Sequence, residues 1–215
     1  MKDSNSMPQV KNQAEIKYCD NCGAKFKTNS QSASNKKSKK YTIFVSHAEA
    51  DKKIVECFCK MLEAILHPFL GLKYKIFRSS ASGYIKCGED VKKRIHSELN
   101  HSKSVFCILT KKSHIRPWVL YEMGYAVGYA QGKSSAKHLM PIAIGIGISA
   151  LAKGCPFAPN SITKCNRDGI SSLTIQLLNQ VVTNFSKGKQ EDQIKKSFEP
   201  HIKTFLNEIK REMEK

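Results

Sequence analysis

Two periodicities of apolar and polar positions alternate along the chain, and each predicts a different element. Short runs rich in β-branched and aromatic residues predict strands at residues 41–46, 72–77, 104–110 and 138–145. Apolar residues spaced three and four apart predict helices between these runs, most clearly over residues 50–66. Strand–helix alternation of this kind is typical of a parallel sheet covered by helices on both faces. The pattern therefore predicts an α/β fold.

The rest of the pattern predicts further helices and one short edge strand. We expect the helices around an apolar stripe at Val91, Ile95 and Leu99, around Glu122, over residues 171–185 and over residues 190–214, with the edge strand near residues 162–165. The last helix has its apolar residues on one side: Ile194, Phe198, Ile202, Phe205, Ile209 and Met213. Such a stripe is too apolar to face water on an isolated helix. We therefore expect it to pack on its own domain or on a second copy of the chain.

Composition divides the chain into three parts. Residues 1–40 are polar and rich in Lys and Ser, and residues 29–40 have the composition of a flexible linker. Because this composition cannot bury enough apolar surface to offset the loss of chain entropy, we expect ordered structure to begin at Tyr41. Residues 41–186 are expected to form the α/β domain, and residues 187–215 an added C-terminal amphipathic helix.

Composition also restricts the compartment and the partners. The 215 residues are 40% hydrophobic, contain no run of about 18 apolar residues as a membrane span requires, and begin without the apolar core of a signal peptide. We expect a cytoplasmic protein with no membrane partner, whose eight cysteines are reduced thiols, several of them buried. The net charge of +18 comes mostly from scattered Lys, without an Arg-rich stripe interleaved with aromatic residues. A solvated basic surface accounts for this charge, and we do not expect a nucleic-acid partner.

One short motif in the N-terminal part is compatible with metal binding. Cys19 and Cys22 form a CxxC turn followed by Gly23, the kind of turn that presents two thiolates to Zn²⁺. A structural zinc site needs four ligands, and the chain contains no second CxxC. Two interpretations stay open: a zinc site completed by cysteines that the fold or a second chain supplies, and a degenerate knuckle with free thiols.

Several polar residues follow directly after predicted strands. Ser46 and His47 follow the first strand, Arg78 and Ser79 follow the second, and the segment that leads to Glu122 follows the third. The carboxyl ends of parallel strands meet at one edge of the sheet, where ligands bind in such folds. The sequence therefore predicts that these residues converge on one site.

A single carboxylate stands out in the segment PWVLYEMGYAVGYA at residues 117–130. Glu122 is its one charged residue, and apolar and small residues surround it. Burying a carboxylate without a partner is costly, so a functional use is the expected reason for its presence. Trp118 lies one helical turn before Glu122, and Tyr125 and Tyr129 continue the same face.

Four segments together resemble a bacterial TIR (Toll/interleukin-1 receptor) domain. They are FVSHAEADKKIV at 44–55, IFRSSASGYIKCGEDVKKRI at 76–95, SVFCILTKKSHIRPWVLYEMGYA at 104–126 and HLMPIAIGI at 138–146, in the family's order and spacing. The third segment contains the family's Trp-x-x-x-Glu pattern. The resemblance covers roughly residues 41–186 and implies a flavodoxin-like five-stranded parallel sheet.

For the enzymatic branch of the family, the resemblance implies cleavage of NAD⁺ at the nicotinamide–ribose bond, with Glu122 as the catalytic residue. NAD⁺ is then the substrate, and no cofactor is required. Trp118 is expected to shape the pocket, and substrate contacts are expected from Ser46, His47, Arg78 and Ser79.

The resemblance also implies self-association through this domain. The loop at residues 78–88, with Gly83 and Gly88, is similar to the family's BB loop, which is an assembly element. One departure from the family lies beside the catalytic position: residues 116–119 read Arg-Pro-Trp-Val where many relatives have Ser-x-Trp-Cys. The lip of the pocket is therefore expected to differ.

The chemistry of this reaction fits a lone carboxylate. Nicotinamide leaves NAD⁺ as a neutral molecule, so its departure needs no general acid, whereas an ordinary glycosidase needs a second carboxyl group to protonate the leaving group. The ribose left behind develops positive charge, which one nearby carboxylate stabilises. If the protein is an NAD⁺-cleaving enzyme, Glu122 supplies that carboxylate.

Alternative interpretations remain for the function and for the single residues. In the first interpretation, the protein is an NAD⁺-cleaving enzyme that serves bacterial antiviral defence with an effector partner. In the second, it is a non-enzymatic TIR adaptor that acts through TIR–TIR contacts. A third interpretation is a relative of the nucleoside deoxyribosyltransferases, which use a Glu on a similar scaffold. Glu122 is alternatively a structural carboxylate, Trp118 a core residue, His47 a loop residue and Arg78 a surface charge.

Overall fold

A five-stranded parallel sheet forms the centre of the fold. The computed structural model describes residues 15–18, 25–28, 40–79, 90–132, 138–151, 155, 161–182 and 189–215. Its strands are β1 (Glu15–Tyr18), β2 (Lys25–Thr28), β3 (Tyr41–Ser46), β4 (Tyr74–Arg78), β5 (Ser104–Leu109), β6 (His138–Ala143) and β7 (Thr163–Lys164). The last five form one parallel sheet in the order β4-β3-β5-β6-β7, which is the flavodoxin-like order. The predicted α/β fold is confirmed.

Helices cover both faces of this sheet. They are α1 (Lys52–Leu70), α2 (Val91–His101), α3 (Pro117–Gly132), α4 (Ile148–Leu151), α5 (Arg167–Val181) and α6 (Lys189–Met213), with a 3-10 turn at Glu49–Asp51. Helices α1, α5 and α6 share one apolar core with the sheet, and α2 and α3 share the other. Alternate residues of a strand point to opposite faces, so Phe106 belongs to the first core and Cys107 to the second.

The C-terminal helix packs on its own domain. Five of the six residues in its predicted stripe are buried: Ile194, Phe198, Ile202, Phe205 and Ile209. Phe205 lies against Phe58 of α1 with ring centroids 5.8 Å apart, and Phe198 lies against Phe69 at 5.9 Å. The first of the two predicted packing modes is therefore confirmed. Met213 departs from the stripe, because 41% of it is exposed at the last residue of the helix.

The starts of two elements, β4 and α5, differ from the sequence prediction. Strand β4 begins at Tyr74 and not at residue 72, because Gly71 ends α1 with a positive φ of 53° and leaves Leu72 exposed in the turn. Helix α5 begins at Arg167, four residues before the predicted start, because the Asn166 side chain accepts a hydrogen bond from the Gly169 amide and caps it there.

Two other expectations about local structure were wrong. Val91 is 46% exposed at the first residue of α2, so the buried stripe of that helix begins at Ile95. Ordered structure also begins before Tyr41, since β1 and β2 form an antiparallel pair. The composition argument overlooked that Glu15–Tyr18 alternates polar residues with Ile16 and Tyr18, and that Lys25–Thr28 has Phe26 between two lysines and ends in β-branched Thr28. The domain boundaries at residues 40 and 186 stay predictions.

Within the described part of the chain, no helix is both long and apolar enough to cross a membrane. The cysteines in this part are free thiols at Cys57, Cys59, Cys107, Cys155 and Cys165. Cys59 and Cys107 are buried, which confirms the expectation of buried reduced thiols for these two.

Candidate active site

The candidate site lies at the carboxyl ends of β3 and β5, in the middle of the sheet. From β3 the chain continues to β4 on one side, whereas β5 pairs with β3 on the other side. Connections that leave in opposite directions open a crevice at this point in parallel sheets, and ligands bind there. Ser46 is the last residue of β3, and the turn after β5 leads into α3 with Trp118 and Glu122.

Glu122 is completely buried beneath this edge of the sheet. Its exposed fraction is 0%, and its neighbours Val119 and Met123, also at 0%, pack into the core between α3 and the sheet. The Ser46 hydroxyl donates a hydrogen bond to Oε2 of Glu122. Oε1 has no hydrogen-bond partner among the described residues. A buried polar atom without a partner is rare in folded proteins and points to a strained or functional position.

Burial also changes the acidity of this carboxyl group. Removal from water raises the pKa of Glu122 from 4.5 to about 7, while the donors at Ser46, Trp118 and Ser79 lower it only in part. Among the described residues, no cation contributes to holding the group ionised. Raised carboxyl pKa values with a physical cause of this kind are typical of functional sites. Glu122 therefore titrates near neutral pH.

Trp118 lies between the buried carboxylate and the surface. It is half-buried, occupies the first turn of α3 and stacks on Tyr121 with ring centroids 5.4 Å apart. Tyr125 stacks on His96 of α2 at 4.1 Å and donates a hydrogen bond to Asn100. Tyr125 therefore packs between the helices, whereas Trp118 remains at the mouth of the site.

A cleft of about 470 Å³ opens above these residues. Its lining comes from the loop after β3, the end of β4 and the start of α3: His47, Ala48, Glu49, Ala50, Ser79, Arg116, Trp118 and Val119. This volume is in the range of small-molecule sites. Glu122 is not among the lining residues, so Trp118 and Ser79 separate it from the open cleft.

His47 forms part of the cleft wall in its neutral form. Its side chain is 2% exposed, and its Nδ1 lies 3.1 Å from the carbonyl oxygen of Val45. Burial lowers the pKa of His47, which outweighs the opposite effects of Val45, Asp51 and Glu49. A lowered pKa favours the neutral imidazole, which offers a hydrogen-bonding group to a ligand without adding positive charge to the cleft.

A buried polar network joins the two loops that form the site. The Thr110 hydroxyl donates to the Asp51 carboxylate, with the oxygens 3.0 and 3.1 Å away. The Thr110 hydroxyl oxygen also accepts a hydrogen bond from the Lys112 amide at 3.1 Å. The Thr110 amide donates to the Ser113 hydroxyl at 3.0 Å. Asp51 follows β3 and Thr110 follows β5, so the network holds the loop with His47 against the turn that leads to Trp118.

The structure brings together five of the predicted site residues: Ser46, His47, Ser79, Trp118 and Glu122. Arg78 pairs in register with Val45 and affects the pKa of His47, but it does not line the cleft. Gly83 and Gly88 lie outside the described residues, so the assembly loop stays a prediction. Cys19 and Cys22 also lie outside them, and zinc binding there stays a prediction.

Sequence reasoning missed two features of the site. The Asp51–Thr110–Ser113 network was not predicted, although Asp51 in the loop after β3 and Thr110 directly after β5 were available signals. Arg116 was noticed as a departure from the family pattern, but it was not assigned to the cleft that it lines.

Comparison with known proteins agrees with this architecture. The family model described as "TIR domain" matches residues 43–159, which is more than half of the chain and includes the residues of the cleft. No curated protein matches the sequence.

Among solved structures, the chain is similar to the TIR domains of the activated Roq1 resistosome, which directly recognises the pathogen effector XopQ. That match has 11% sequence identity and a TM-score of 0.42, and it covers 76% of this chain and 84% of the other. A TM-score of this size carries no argument about function. The assignment rests on the family match together with the observed sheet order and the site at its centre: the chain belongs to the TIR domain family.

Proposed function

We propose that this TIR domain is an NAD⁺ nucleosidase that cleaves the nicotinamide–ribose bond with Glu122 as the catalytic residue. The observation that carries the proposal is the environment of Glu122. It is a fully buried carboxylate directly behind a cleft, and among the described residues it has no cationic partner and one oxygen that is unpaired. This arrangement is costly for folding, so it calls for a function that uses the free oxygen.

The reaction requires the kind of charge that Glu122 offers. As the bond breaks, its electron pair moves to the pyridinium nitrogen, which becomes neutral, and the ribose anomeric carbon becomes cationic. An ionised carboxylate in a water-poor site stabilises that cation more strongly than one in bulk water. Ser46 holds Oε2 in place, and Oε1 remains available to face the sugar or its hydroxyl groups.

The other residues of the site have positioning roles in this proposal. Trp118 closes one side of the substrate pocket, and its ring offers a flat apolar surface to nicotinamide or to the ribose. His47 and Ser79 line the cleft and supply hydrogen-bonding groups for the ribose and the phosphates. Arg78 adds positive charge behind His47 without direct contact to the cleft.

The wider context of the activity also belongs to the proposal. The product is ADP-ribose, a cyclised form or a conjugate, depending on which nucleophile reaches the ribose. We propose a cytoplasmic role in bacterial antiviral defence, activated by self-association with an effector partner through the loop with Gly83 and Gly88. Because uncontrolled NAD⁺ loss would harm the cell, we expect a low rate before assembly.

The test is a chromatogram of products from purified protein incubated with NAD⁺, with and without forced assembly on a tethering surface. We expect nicotinamide release by the wild type and a fall of at least about 100-fold in Glu122→Gln, the scale observed when a preorganised electrostatic group is removed. A deoxynucleoside substrate in a parallel reaction should remain intact. Cleavage of the deoxynucleoside instead of NAD⁺ would identify a deoxyribosyltransferase-like enzyme.

A non-enzymatic adaptor acting through TIR–TIR contacts is the second candidate. It is favoured by the observation that Glu122 does not line the open cleft. In that case neither free nor assembled protein releases nicotinamide, and Glu122→Gln assembles as well as the wild type. Wild-type turnover by a stable Glu122→Gln variant would contradict the catalytic role itself.

A further inference from the structure

Arg116 occupies a fixed position at the rim of the cleft. It directly precedes α3 and lines the cleft together with Trp118. Its amide donates to the Ser113 carbonyl at 2.9 Å, and its side-chain Nε donates to the Lys112 carbonyl at 3.1 Å. The guanidinium is therefore held at one nitrogen, which leaves its two terminal amino groups as donors.

No described carboxylate pairs with this guanidinium. The other charged residue of the described lining is Glu49, whose carboxylate lies 3.6 Å from Lys52 Nζ. Lys111 and Lys112 are exposed on the same turn as Arg116, so they add to the positive potential on this side. This wall of the cleft therefore favours an anion.

The start of α3 adds backbone donors beside Arg116. The first helical hydrogen bond runs from the Leu120 amide to the Arg116 carbonyl at 3.1 Å. The amides of Trp118 and Val119 therefore precede the helical hydrogen-bond pattern, and both residues line the cleft. Partial positive charge at a helix start supports the charge of the arginine but would not by itself make a site.

The position of Arg116 relative to Glu122 matches one part of the proposed substrate. The two residues are six positions apart along α3 and its cap, which corresponds to roughly 9 Å along the helix axis. One ribose separates the scissile bond from the diphosphate in NAD⁺, so groups that bind the two parts need to lie within one cleft. A planar guanidinium binds two phosphate oxygens at once, which a lysine does not.

We propose that Arg116 binds the diphosphate of the substrate and thereby selects a dinucleotide over a nucleoside. The inference rests on the proposed function for the position of the scissile bond, whereas the anion site itself rests on the cleft and its charges. It gives a role to the cation at the pocket lip, where the sequence was expected to differ from relatives that have a serine there.

The first experiment measures binding without catalysis, by calorimetric titration of the full chain with ADP-ribose. We expect Arg116→Gln to weaken binding by about 10-fold or more, as for loss of a charge-assisted hydrogen bond. Lys111→Gln, on the same turn but outside the cleft lining, should change it by less than about 2-fold. Arg116→Lys should recover only part of the loss, because it restores the charge without the planar fork. Equal losses in Arg116→Gln and Lys111→Gln, or no detectable ADP-ribose binding by the wild type, would overturn the inference.

The second experiment compares NAD⁺ with nicotinamide riboside, which has the same scissile bond and no diphosphate. In Arg116→Gln the ratio of kcat/KM for NAD⁺ to that for nicotinamide riboside should fall about 10-fold, mainly through KM for NAD⁺. An unchanged ratio in an enzyme that cleaves NAD⁺ would overturn this inference alone. Arg116-dependent binding of ADP-ribose without cleavage of NAD⁺ would instead support the anion site and refute the nucleosidase.

Discussion

Glu98 and Glu122 are both buried carboxylates on the same face of the sheet, but their surroundings differ. Glu98 on α2 is 8% exposed, and its Oε1 lies 2.6 Å from Lys75 Nζ and 2.7 Å from Arg94 Nη2. Glu122 on the neighbouring helix α3 is 0% exposed and accepts a hydrogen bond from the Ser46 hydroxyl, with Trp118 and Ser79 as weaker donors and no cation among the described residues. Glu98 therefore joins β4 to α2 through compensated charge, whereas Glu122 carries an uncompensated one.

This difference separates a structural carboxylate from a candidate catalytic one. A buried carboxylate with two cationic partners holds its secondary-structure elements together. Its removal leaves the two cations without a counter-charge and lowers the stability of the fold. A buried carboxyl without a cation destabilises its ionised form, and folding gains nothing from it. In the proposed function, chemistry that needs an available oxygen accounts for such a residue. Substitution of Glu98 should therefore lower stability and leave the proposed activity unchanged, whereas substitution of Glu122 should do the opposite.

The largest expected effect is the dependence of the proposed activity on pH. Because the carboxyl must be ionised to stabilise a cationic ribose and its pKa is about 7, kcat/KM for NAD⁺ should rise with pH through about 7. Below that value it should fall by about tenfold per pH unit. Nicotinamide release measured from pH 5 to 9 tests this, with Glu98→Gln as the variant that should keep the wild-type profile. A flat profile across pH 6 to 8 would contradict an unpaired Glu122 as the catalytic group.

The next effect is on stability: the free energy of unfolding of Glu122→Gln should increase relative to that of the wild type as pH rises. The folded pKa of Glu122 lies above its ordinary value, so its contribution to stability is fully present below about pH 4.5 and is lost as pH rises through about 7. Gln cannot ionise and avoids this loss. The difference in unfolding free energy should grow by at most about 3 kcal/mol between these limits.

Urea unfolding of both proteins at pH 5.5 and pH 8 measures that difference. A Glu122→Gln variant that is less stable than the wild type at both pH values would show that the carboxylate is a paired structural group. Catalysis would then need another residue.

Glu98→Gln should have the opposite effect on stability and little effect on the proposed activity. Lys75 and Arg94 are about one third exposed, so water compensates part of the lost attraction. We expect a loss of about 1–2 kcal/mol at pH 7, smaller than for a completely buried pair. Activity per folded molecule should stay within about 2-fold. If activity fell by more than the fraction of folded protein, α2 would also contribute to the active site.

The smallest expected effect comes from the Ser46 hydroxyl, the strongest of the three donors to Glu122. Ser46→Ala removes the hydroxyl that stabilises the ionised form, so the pKa of Glu122 should rise further and the pH–rate midpoint should move up by about one unit or less. Ser102→Ala is the matched control, since Ser102 is a buried serine that donates to the Leu99 carbonyl. An equal shift in both variants would assign the effect to general loss of packing.

The sequence by itself determined the elements wherever the apolar pattern had one clear period. Strand β3 at Tyr41–Ser46 and the buried stripe of α6 are close to their predicted positions, because a core-facing side repeats at a fixed spacing. The lone acid in an apolar segment also singled out Glu122 without any structural information. Boundaries were less predictable where a single residue decides them, as Gly71 does before β4.

Tertiary structure alone decided how Glu122 is surrounded. Helix α3 is apolar on most of its circumference, so periodicity did not show which side would face the sheet. Ser46 is 76 residues before Glu122, and Thr110 is 59 residues after Asp51, so no local pattern relates the members of either pair. The order of the strands brings them together, because the carboxyl ends of β3 and β5 are adjacent. The same packing leaves Oε1 without a described partner, since an apolar helix and a central strand offer few donors at that depth.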